Sequence, residues 1–130
     1  VSYDVNPENV IVAKENIKKL GLKNVKVKEK SVFDGIAEKD VDLIVFDLPT
    51  PWKAIEAAKK ALKVGGHLVI YNPQITQTTE FVNEITKDEH FLYERTVELM
   101  ERNWKIDGRV SRPSSDAIGH TAFLTFCRRV

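Results

Sequence analysis

The sequence predicts an α/β fold in which a mostly parallel sheet carries an antiparallel hairpin at one edge. Strand-like and helix-like segments alternate over residues 1–86, the pattern of strands joined by crossover helices. The run "VDLIVFDL" (residues 41–48) is almost continuously apolar, which is typical of a parallel strand covered on both faces. Near the C-terminus two β-like runs follow each other without a helix between them, and such strands pair antiparallel.

The first half of the chain supplies a strand, a helix and a second strand. "VSYDV" is β-prone and stops at Asn6, a predicted N-cap, with Pro7 at the first helical position. The helix ends at Gly21, and its inward face consists of apolar residues at helical spacing: Val10, Ala13, Ile17 and Leu20. "NVKVKEKSV" then alternates apolar and basic residues, which predicts a strand with one exposed face.

The second half continues the alternation and then changes character. A helix follows the apolar run, "VGG" is predicted to end it, and one face carries Trp52, Ile55, Ala58 and Leu62. "HLVIYNP" predicts a buried strand and "TQTTEFVNEIT" a third helix. The two final β-like runs are "HFLYERTVELMERNW" and "GHTAFLTFCRRV", joined by the polar segment "KIDGRVSRPSSDAI". We therefore expect residues 1–130 to form one domain.

The composition is that of an ordinary globular chain, with 42% apolar and 30% charged residues. A net charge of +1 gives no strong long-range field, so a polyanionic partner would have to meet a local basic patch or several chains together. The single cysteine, Cys127, excludes an intrachain disulfide, fits a reducing cytoplasm and is most simply a small apolar core residue. No apolar segment approaches the ~20 residues of a membrane span.

Polar residues are predicted at the carboxyl ends of four strands, the edge where open parallel sheets bind ligands. They are Asp4, Asp34, Asp47 and Asn72. Asp4 is either a solvated strand end or, as in nucleotide-binding sheets, an acceptor for both ribose hydroxyls. Asp34 precedes Gly35, which is first of all a turn pattern.

Asp47 is the stronger functional candidate among these acids. It ends an apolar strand, where we expect it to be partly desolvated, and Pro49 and Pro51 fix the backbone that follows. Other candidates are weaker, because no cluster of His, Cys, Asp or Glu has metal-ligand spacing. The basic stretch "GLKNVKVKEK" is explained equally well by phosphate contact and by a solvated face.

Together these segments resemble the class I S-adenosylmethionine (SAM)-dependent methyltransferases. "SYDV", "SVFDG" and "DLIVFDLP" are similar to the second, third and fourth motifs of that family, and "ALKVGGHLVIYNP" to its approach to the fifth strand. "DLPTPW", "YNPQITQ", "ERNW" and "RPSSDAIGHTAFLTFCRR" more specifically resemble the tRNA adenine-N1 methyltransferases that act in the T-loop. The resemblance implies a Rossmann-like sheet, SAM as the cofactor, tRNA as the substrate and adenine N1 as the methylated atom.

The resemblance also implies roles for individual residues. Asp4 would hold the cofactor ribose with Val5 beside it, while Phe33 and Asp34 would border the cofactor adenine. Asp47 would be the catalytic residue, beside the methyl donor and the flipped target base. Catalysis would mainly be orientation, with Asp47 accepting a hydrogen bond from the exocyclic amine. Further residues are implied on the substrate side: Leu48, Pro49, Trp52, Asn72, Arg112 and His120. The last two either reach the RNA or tie down the hairpin loop.

One family feature is absent, namely a first strand followed by a glycine-rich turn, since no GxGxG pattern occurs. By resemblance this strand would lie between "SYDV" and "DLIVFDL", and its absence leaves backbone groups of both unpaired. The two strands would then pair directly, swap elements between copies or belong to the ordered remnant of a longer chain. We expect the fragment to derive from a methyltransferase without being an autonomous catalyst.

Other functions are compatible with the same fold. A small-molecule methyltransferase of the corrin-precursor type is disfavoured by the terminal "GHTAFLTF". A non-catalytic RNA-binding subunit has no need for Asp4, Asp34 and Asp47 together, so their presence favours catalysis. A nicotinamide-dependent enzyme would require the missing glycine fingerprint. Family resemblance further implies a cytoplasmic homo-oligomer, a tetramer, with no membrane association.

Overall fold

The computed structural model describes residues 1–116 and 118–130. Its strands are β1 (Ser2–Asp4), β2 (Val27–Glu29), β3 (Val41–Phe46), β4 (Leu62–Asn72), β5 (Phe91–Glu98), β6 (Trp104–Asp107), β7 (Val110–Pro113) and β8 (Phe123–Arg129). Its α-helices are α1 (Pro7–Lys19), α2 (Ile55–Ala61) and α3 (Ile75–Ile85), with 3₁₀-helices at Val32–Asp34 and Pro51–Ala54. The predicted α/β class is confirmed. No helix of these two ranges is both long and apolar enough to cross a bilayer.

The main sheet has the strand order β3-β4-β8-β5. β3 and β4 run parallel, with Ile44 opposite Leu68 and Phe46 opposite Ile70. β8 is antiparallel to both β4 and β5, which confirms the predicted antiparallel strands at the C-terminal edge. β1 and β2 form a separate parallel pair, and β6 and β7 form a separate hairpin.

A gap separates β1 from β3. Within the described ranges β1 pairs only with β2, and β3 only with β4, so each strand keeps an unpaired edge. Direct pairing of these two strands, one of the expected responses to a missing neighbour, therefore does not occur. Each such edge presents unpaired N–H and C=O groups that favour pairing with a further strand.

The expectation that β3 is covered on both faces is wrong. Ile44 and Phe46 are 9% and 3% exposed, whereas Leu43 and Val45 on the opposite face are 53% and 59% exposed. Alternation along the strand sends the first pair toward α2 and α3, which share their core cluster. α1 packs against β1 and β2 instead, so the other face of β3 lies open.

The core lies between the main sheet and the helices α2 and α3. Leu68, Ile70, Phe81, Ile85 and Cys127 are each 0% exposed. Burying a side chain of this size stabilises the fold by about 1.5–3 kcal/mol relative to leaving it in water. Cys127 is thus a core residue, as predicted, and burial raises the pKa of its thiol to about 12.

The ends of α1 follow the sequence signals. The Asn6 side chain accepts a hydrogen bond from the Glu8 amide at 2.9 Å, which satisfies one orphan N–H of the first turn. Gly21, at φ +65°, ends the helix, and the amide of Leu22 bonds back to the carbonyl of Ile17. The predicted inward face is only partly correct, because Leu20 is 72% exposed.

The prediction that "VGG" stops a helix is wrong. α2 already ends at Ala61, and β4 begins at Leu62 and includes both glycines. The pairing of β3 with β4 shifts register here, and Gly65 adopts φ +84°. A Cβ on Gly66 would lie 2.9 Å from the carbonyl oxygens of both Lys63 and Val41. The two glycines therefore allow a bulged strand to approach its neighbour closely.

The β6–β7 hairpin was not anticipated. The long run "HFLYERTVELMERNW" divides into β5 and β6, and the polar segment after it supplies β7. Gly108 and Arg109 form the turn between the paired residues Asp107 and Val110, with Gly108 at φ +54°. A glycine that opens a two-residue loop between two short β-prone segments is the hairpin signal that would have revealed this element.

Candidate functional site

The gap between β1 and β3 is an open cleft of about 590 Å³. One wall is β1, from Ser2 to Asp4, and the other is β3 with the loop that follows it, from Val41 to Leu48. Asp4 and Asp47 both line it at the carboxyl ends of their parallel strands, as predicted. The rest of the lining is mixed, with apolar side chains such as Val32, Ile36 and Val45 and polar ones from Tyr3, Glu38 and Lys39.

Asp4 is anchored by the start of α1. Its Oδ1 accepts a hydrogen bond from the Asn6 amide at 2.8 Å, and its Oδ2 accepts one from Asn9 Nδ2 at 3.1 Å. Each carboxylate oxygen has a further lone pair to offer. The carboxylate is therefore held in a fixed pose at the rim and retains capacity to bind hydroxyl groups.

Asp47 is less buried than the sequence suggested. Its strand neighbour Phe46 is in the core, but Asp47 itself is exposed at the rim, so the expectation of partial desolvation is wrong. In the part of the chain that the structure describes, no protein donor bonds to its carboxylate. Both oxygens are thus available to a ligand in the cleft, and their position depends on the loop that carries them.

Asp34 does not join the other two carboxylates. It lies at the end of the 3₁₀-helix Val32–Asp34, where Ser31 Oγ accepts a hydrogen bond from the Phe33 amide at 3.1 Å. Asp34 is exposed and does not line the cleft, whereas Val32 and Ile36 on either side of it do. This geometry agrees with the prediction that Asp34 and Gly35 form a turn. Phe33 and Val5 are 46% and 68% exposed and do not line the cleft.

Trp52 lies elsewhere than expected. It lines a separate hollow with Ile55, Lys59 and His90, on the side of the sheet covered by α2 and α3. The prediction that it shapes the pocket beside Asp47 is therefore wrong. Trp52 packs against the hydrophobic core instead, because the buried 3₁₀ turn beginning at Pro51 directs it there.

The loop after Asp47 is held from β4 and α3. Asn72 is 1% exposed, and its Nδ2 donates to the carbonyl of Leu48 at 3.3 Å. Gln77 Nε2 donates to the carbonyl of Pro49 at 3.0 Å. Gln77 was not singled out at the sequence level, although it closes the segment "YNPQITQ" that resembles the tRNA adenine-N1 methyltransferases. Asn72 was placed at the rim correctly, but its side chain is directed at the loop.

Arg112 on β7 and His120 in the segment before β8 make protein contacts. Arg112 Nη1 donates to Ser115 Oγ at 2.9 Å. His120 Nδ1 lies 2.5 Å from Glu98 Oε1, and its Nε2 lies 2.6 Å from the carbonyl oxygen of Pro73. Both partners are acceptors, so both ring nitrogens must carry a proton for the two bonds to exist together. The Pro73 carbonyl, and secondarily Glu98, raise the pKa of His120. His120 thus ties the segment before β8 to the end of β5 and to the loop after β4.

A polar network closes the cleft from the β1 side, and no sequence pattern pointed to it. The Tyr3 hydroxyl bonds to Glu38, and Lys28 Nζ lies 2.6 Å from Glu38 Oε1. The amide of Ala37 donates to the Tyr3 hydroxyl at 3.1 Å. Lys28, and secondarily Tyr3, lower the pKa of Glu38 to about 2. This network fastens β1 and β2 to the segment that leads into β3, across a gap that no strand bridges.

Known proteins resemble this chain in sequence and fold. The family described as tRNA methyltransferase complex GCD14 subunit matches residues 2–109. The tRNA (adenine(57)-N(1)/adenine(58)-N(1))-methyltransferase TrmI of Methanocaldococcus jannaschii is 37% identical, over 98% of this chain and 55% of its own length. The crystal structure of tRNA (m1A58) methyltransferase TrmI from Aquifex aeolicus has a TM-score of 0.87 at 25% identity, over 98% of this chain and 52% of that one. A SAM-dependent O-methyltransferase of Thermotoga maritima has a TM-score of 0.91 at 31% identity, over 98% of this chain and 48% of that one.

The chain spans about half the length of the relatives that it matches. The matched region includes β1, β3, β4 and the rim that carries Asp4 and Asp47. These matches confirm the resemblance that the motifs indicated, and the solved structures share the fold described above. The chain belongs to the tRNA methyltransferase complex GCD14 subunit family.

Proposed function

We propose that the protein containing this chain transfers a methyl group from SAM to N1 of an adenine in the T-loop of tRNA. The observation that carries the proposal is the position of Asp4 and Asp47 at the rim of one cleft, in a chain of this family. The names of the M. jannaschii and A. aeolicus relatives support the choice of tRNA and of adenine N1.

The cleft suits the nucleoside part of SAM. Its volume of about 590 Å³ is within the range of roughly 300–1,000 Å³ of small-molecule sites. Asp4 offers acceptors for the ribose hydroxyls, and Val32 and Ile36 offer an apolar wall for the adenine. Val5, Phe33 and Asp34 do not line the cleft, but they are neighbours in sequence of the lining residues Asp4, Val32 and Ile36, and we retain them as proposed cofactor contacts at its margin. SAM supplies the electrophilic methyl group, and this chain supplies the orientation.

Asp47 is the residue proposed to act on the target base. Its exposed oxygens accept a hydrogen bond from the exocyclic amine of the adenine and offset positive charge that develops on the ring. Leu48 and Pro49 frame the same position, and the base must leave its stack to reach it. Arg112 lies on the exposed hairpin, where it is available to phosphate, while Asn72 and His120 support the loops on either side.

The direct test is tRNA methylation by the intact protein, with product nucleosides identified by mass spectrometry. Asp47→Asn keeps one acceptor and is expected to lower the rate by about 10-fold, and Asp47→Ala by about 100-fold, as for other transition-state hydrogen bonds. Asp42→Asn is the matched control, because it changes an exposed carboxylate at the other end of β3 that pairs with Lys63. A wild-type protein that methylates no adenine N1, or an Asp47→Ala variant with full activity, would refute the proposal.

The proposed partners are tRNA and further copies of this chain, acting in the cytoplasm. The hairpin region exposes a set of large apolar side chains: Met100, Trp104, Ile106 and Ile118, each at least 59% exposed. Apolar surface of this kind supports a homo-oligomeric contact, a tetramer by family resemblance. Analytical ultracentrifugation of the wild type and of Ile106→Lys tests it, since a monomeric wild type contradicts the assembly. A reducing compartment agrees with a single, buried, free cysteine.

A further inference from the structure

The loop Asp47–Thr50 connects β3 to the following 3₁₀-helix and carries the proposed catalytic carboxylate. Pro49 has no N–H, and neither does Pro51 just beyond the loop, so this stretch has few backbone donors with which to fix itself. Its carbonyl groups are the remaining points of attachment. Two of them, those of Leu48 and Pro49, accept side-chain hydrogen bonds from Asn72 and Gln77.

The orientation of these two carboxamides follows from the contacts. In each case the NH₂ group faces a carbonyl oxygen, at 3.3 Å for Asn72 and 3.0 Å for Gln77. A flipped amide would place oxygen against oxygen, and the bond would become a repulsion. The amide oxygens Asn72 Oδ1 and Gln77 Oε1 are buried and, within the described ranges, accept no hydrogen bond. The hydrogen bonds from the two NH₂ groups to the loop carbonyls therefore offset part of the cost of burying these amides.

Gln77 differs from Asn72 in where it stands. Asn72 is 1% exposed at the end of β4, and its replacement would disturb the core as well as the loop. Gln77 lies in the first part of α3, only half-buried, on a helix fixed to the core by Phe81 and Ile85, both 0% exposed. A rigid helix thus holds the loop at a point two residues beyond Asp47.

We propose that Gln77 is a positioning residue for methyl transfer, which sets the place of Asp47 in the cleft by holding the carbonyl of Pro49. This inference rests on the proposed function and adds to it a residue on α3 that does not line the cleft. Without this hydrogen bond we expect the loop, and Asp47 with it, to shift by up to about 1 Å. A displacement of that size lowers the turnover of a reaction that depends on orientation by about 10-fold to 100-fold.

The test compares three variants of the intact protein. Gln77→Met keeps the side-chain length and removes the donor. Gln77→Glu provides a donor only when it is protonated, and it repels the Pro49 carbonyl when ionised. Thr79→Val is the matched control, because Thr79 lies on the exposed part of the same helix and its hydroxyl bonds only to the carbonyl of Ile75 within α3.

We expect kcat of Gln77→Met to fall by about 10-fold or more with little change in KM for tRNA, and that of Thr79→Val to stay at the wild-type value. The ratio of Gln77→Glu activity to wild-type activity should rise as the pH falls toward the ordinary pKa of glutamic acid, about 4.3. A purely structural role would change the melting temperature without this pH-dependent rescue.

Hydrogen exchange of the peptide covering residues 47–54 provides a readout that needs no activity. Gln77→Met should speed exchange there, whereas Thr79→Val should not. Unchanged exchange, or an unchanged kcat in an active Gln77→Met variant, overturns the positioning role. If the wild type transfers no methyl group but the loop exchanges faster in Gln77→Met, the proposed function is refuted. The hydrogen bond from Gln77 to the loop would still be shown to restrain it.

Discussion

Gly66→Ala tests the close approach of β4 to β3, the feature that the sequence alone misassigned. An added Cβ would lie 2.9 Å from the carbonyl oxygens of Lys63 and Val41 and 3.2 Å from that of Asp42. All three neighbours are backbone atoms, which cannot rotate away as a side chain does. The bulged start of β4 must therefore shift relative to β3, and the pairing that carries Ile44 and Phe46 shifts with it.

The expected loss of stability follows from two opposing effects. Overpacking against a fixed neighbour costs about 1–3 kcal/mol, and the reduced freedom of the unfolded chain returns about 0.4–1 kcal/mol. With close contacts to three backbone oxygens, the net destabilisation should be about 2 kcal/mol. Gly119→Ala is the matched control, because no atom lies within 4 Å of its added Cβ and its φ is not positive. Only the gain from the unfolded chain applies there, so we expect it to be neutral or stabilising by about 0.5 kcal/mol.

Urea unfolding followed by circular dichroism measures both variants against the wild type. Gly66→Ala should lower the midpoint with an unchanged slope, and its melting temperature should fall by about 4–8 °C. Equal stabilities for Gly66→Ala and Gly119→Ala would refute the reasoning, because they would show that these strands do not approach at Gly66.

Four further predictions concern three ionisable groups and the cofactor. Lys28 holds the pKa of Glu38 down at about 2, so the Glu38 carboxylate contributes fully to stability above its ordinary pKa of 4.5. This contribution is lost as the pH falls toward 2. Acid unfolding of Glu38→Gln should therefore lack the loss of stability between pH 4.5 and pH 2. The Pro73 carbonyl raises the pKa of His120, so both of its hydrogen bonds are complete below the ordinary pKa of 6.5 and are lost as the pH rises through the raised pKa. Proteolysis of the segment before β8 should therefore increase with pH in the wild type. In His120→Ala it should be independent of pH. The Cys127 thiol, with its pKa raised to about 12 by burial, should react with a thiol reagent at least 100-fold faster in urea than in the folded protein. Calorimetric titration of this 130-residue chain should show weak SAM binding, since its residues include no glycine-rich turn, and binding as tight as that of a complete enzyme would contradict this.

Local sequence signals were accurate where the physics is local. The start of α1 depends on Asn6 and Pro7 and its end on Gly21, and all three act within a few residues of the backbone groups that they satisfy. "VGG" failed because glycine permits both a helix end and a close strand contact, and only the partner strand decides between them.

At the candidate site, too, the sequence predicted local features correctly but not the long-range contacts. The sequence by itself placed Asp4, Asp47 and Asn72 at strand ends, because a parallel sheet brings the carboxyl ends of its strands to one edge whatever the details of packing. Only the tertiary structure showed that Asp34 does not line the cleft and that Trp52 packs against the core and lines a separate hollow.

What the sequence determined about this protein is therefore its α/β alternation, its family and the strand ends at which polar residues gather. What the tertiary structure decided is which side chains face each other across long stretches of chain. Gln77 reaches Pro49 from 28 residues away, and Tyr3 reaches Glu38 from 35 residues away. Such contacts depend on the relative placement of whole elements, which the packing of the core sets and which no periodicity along the chain encodes.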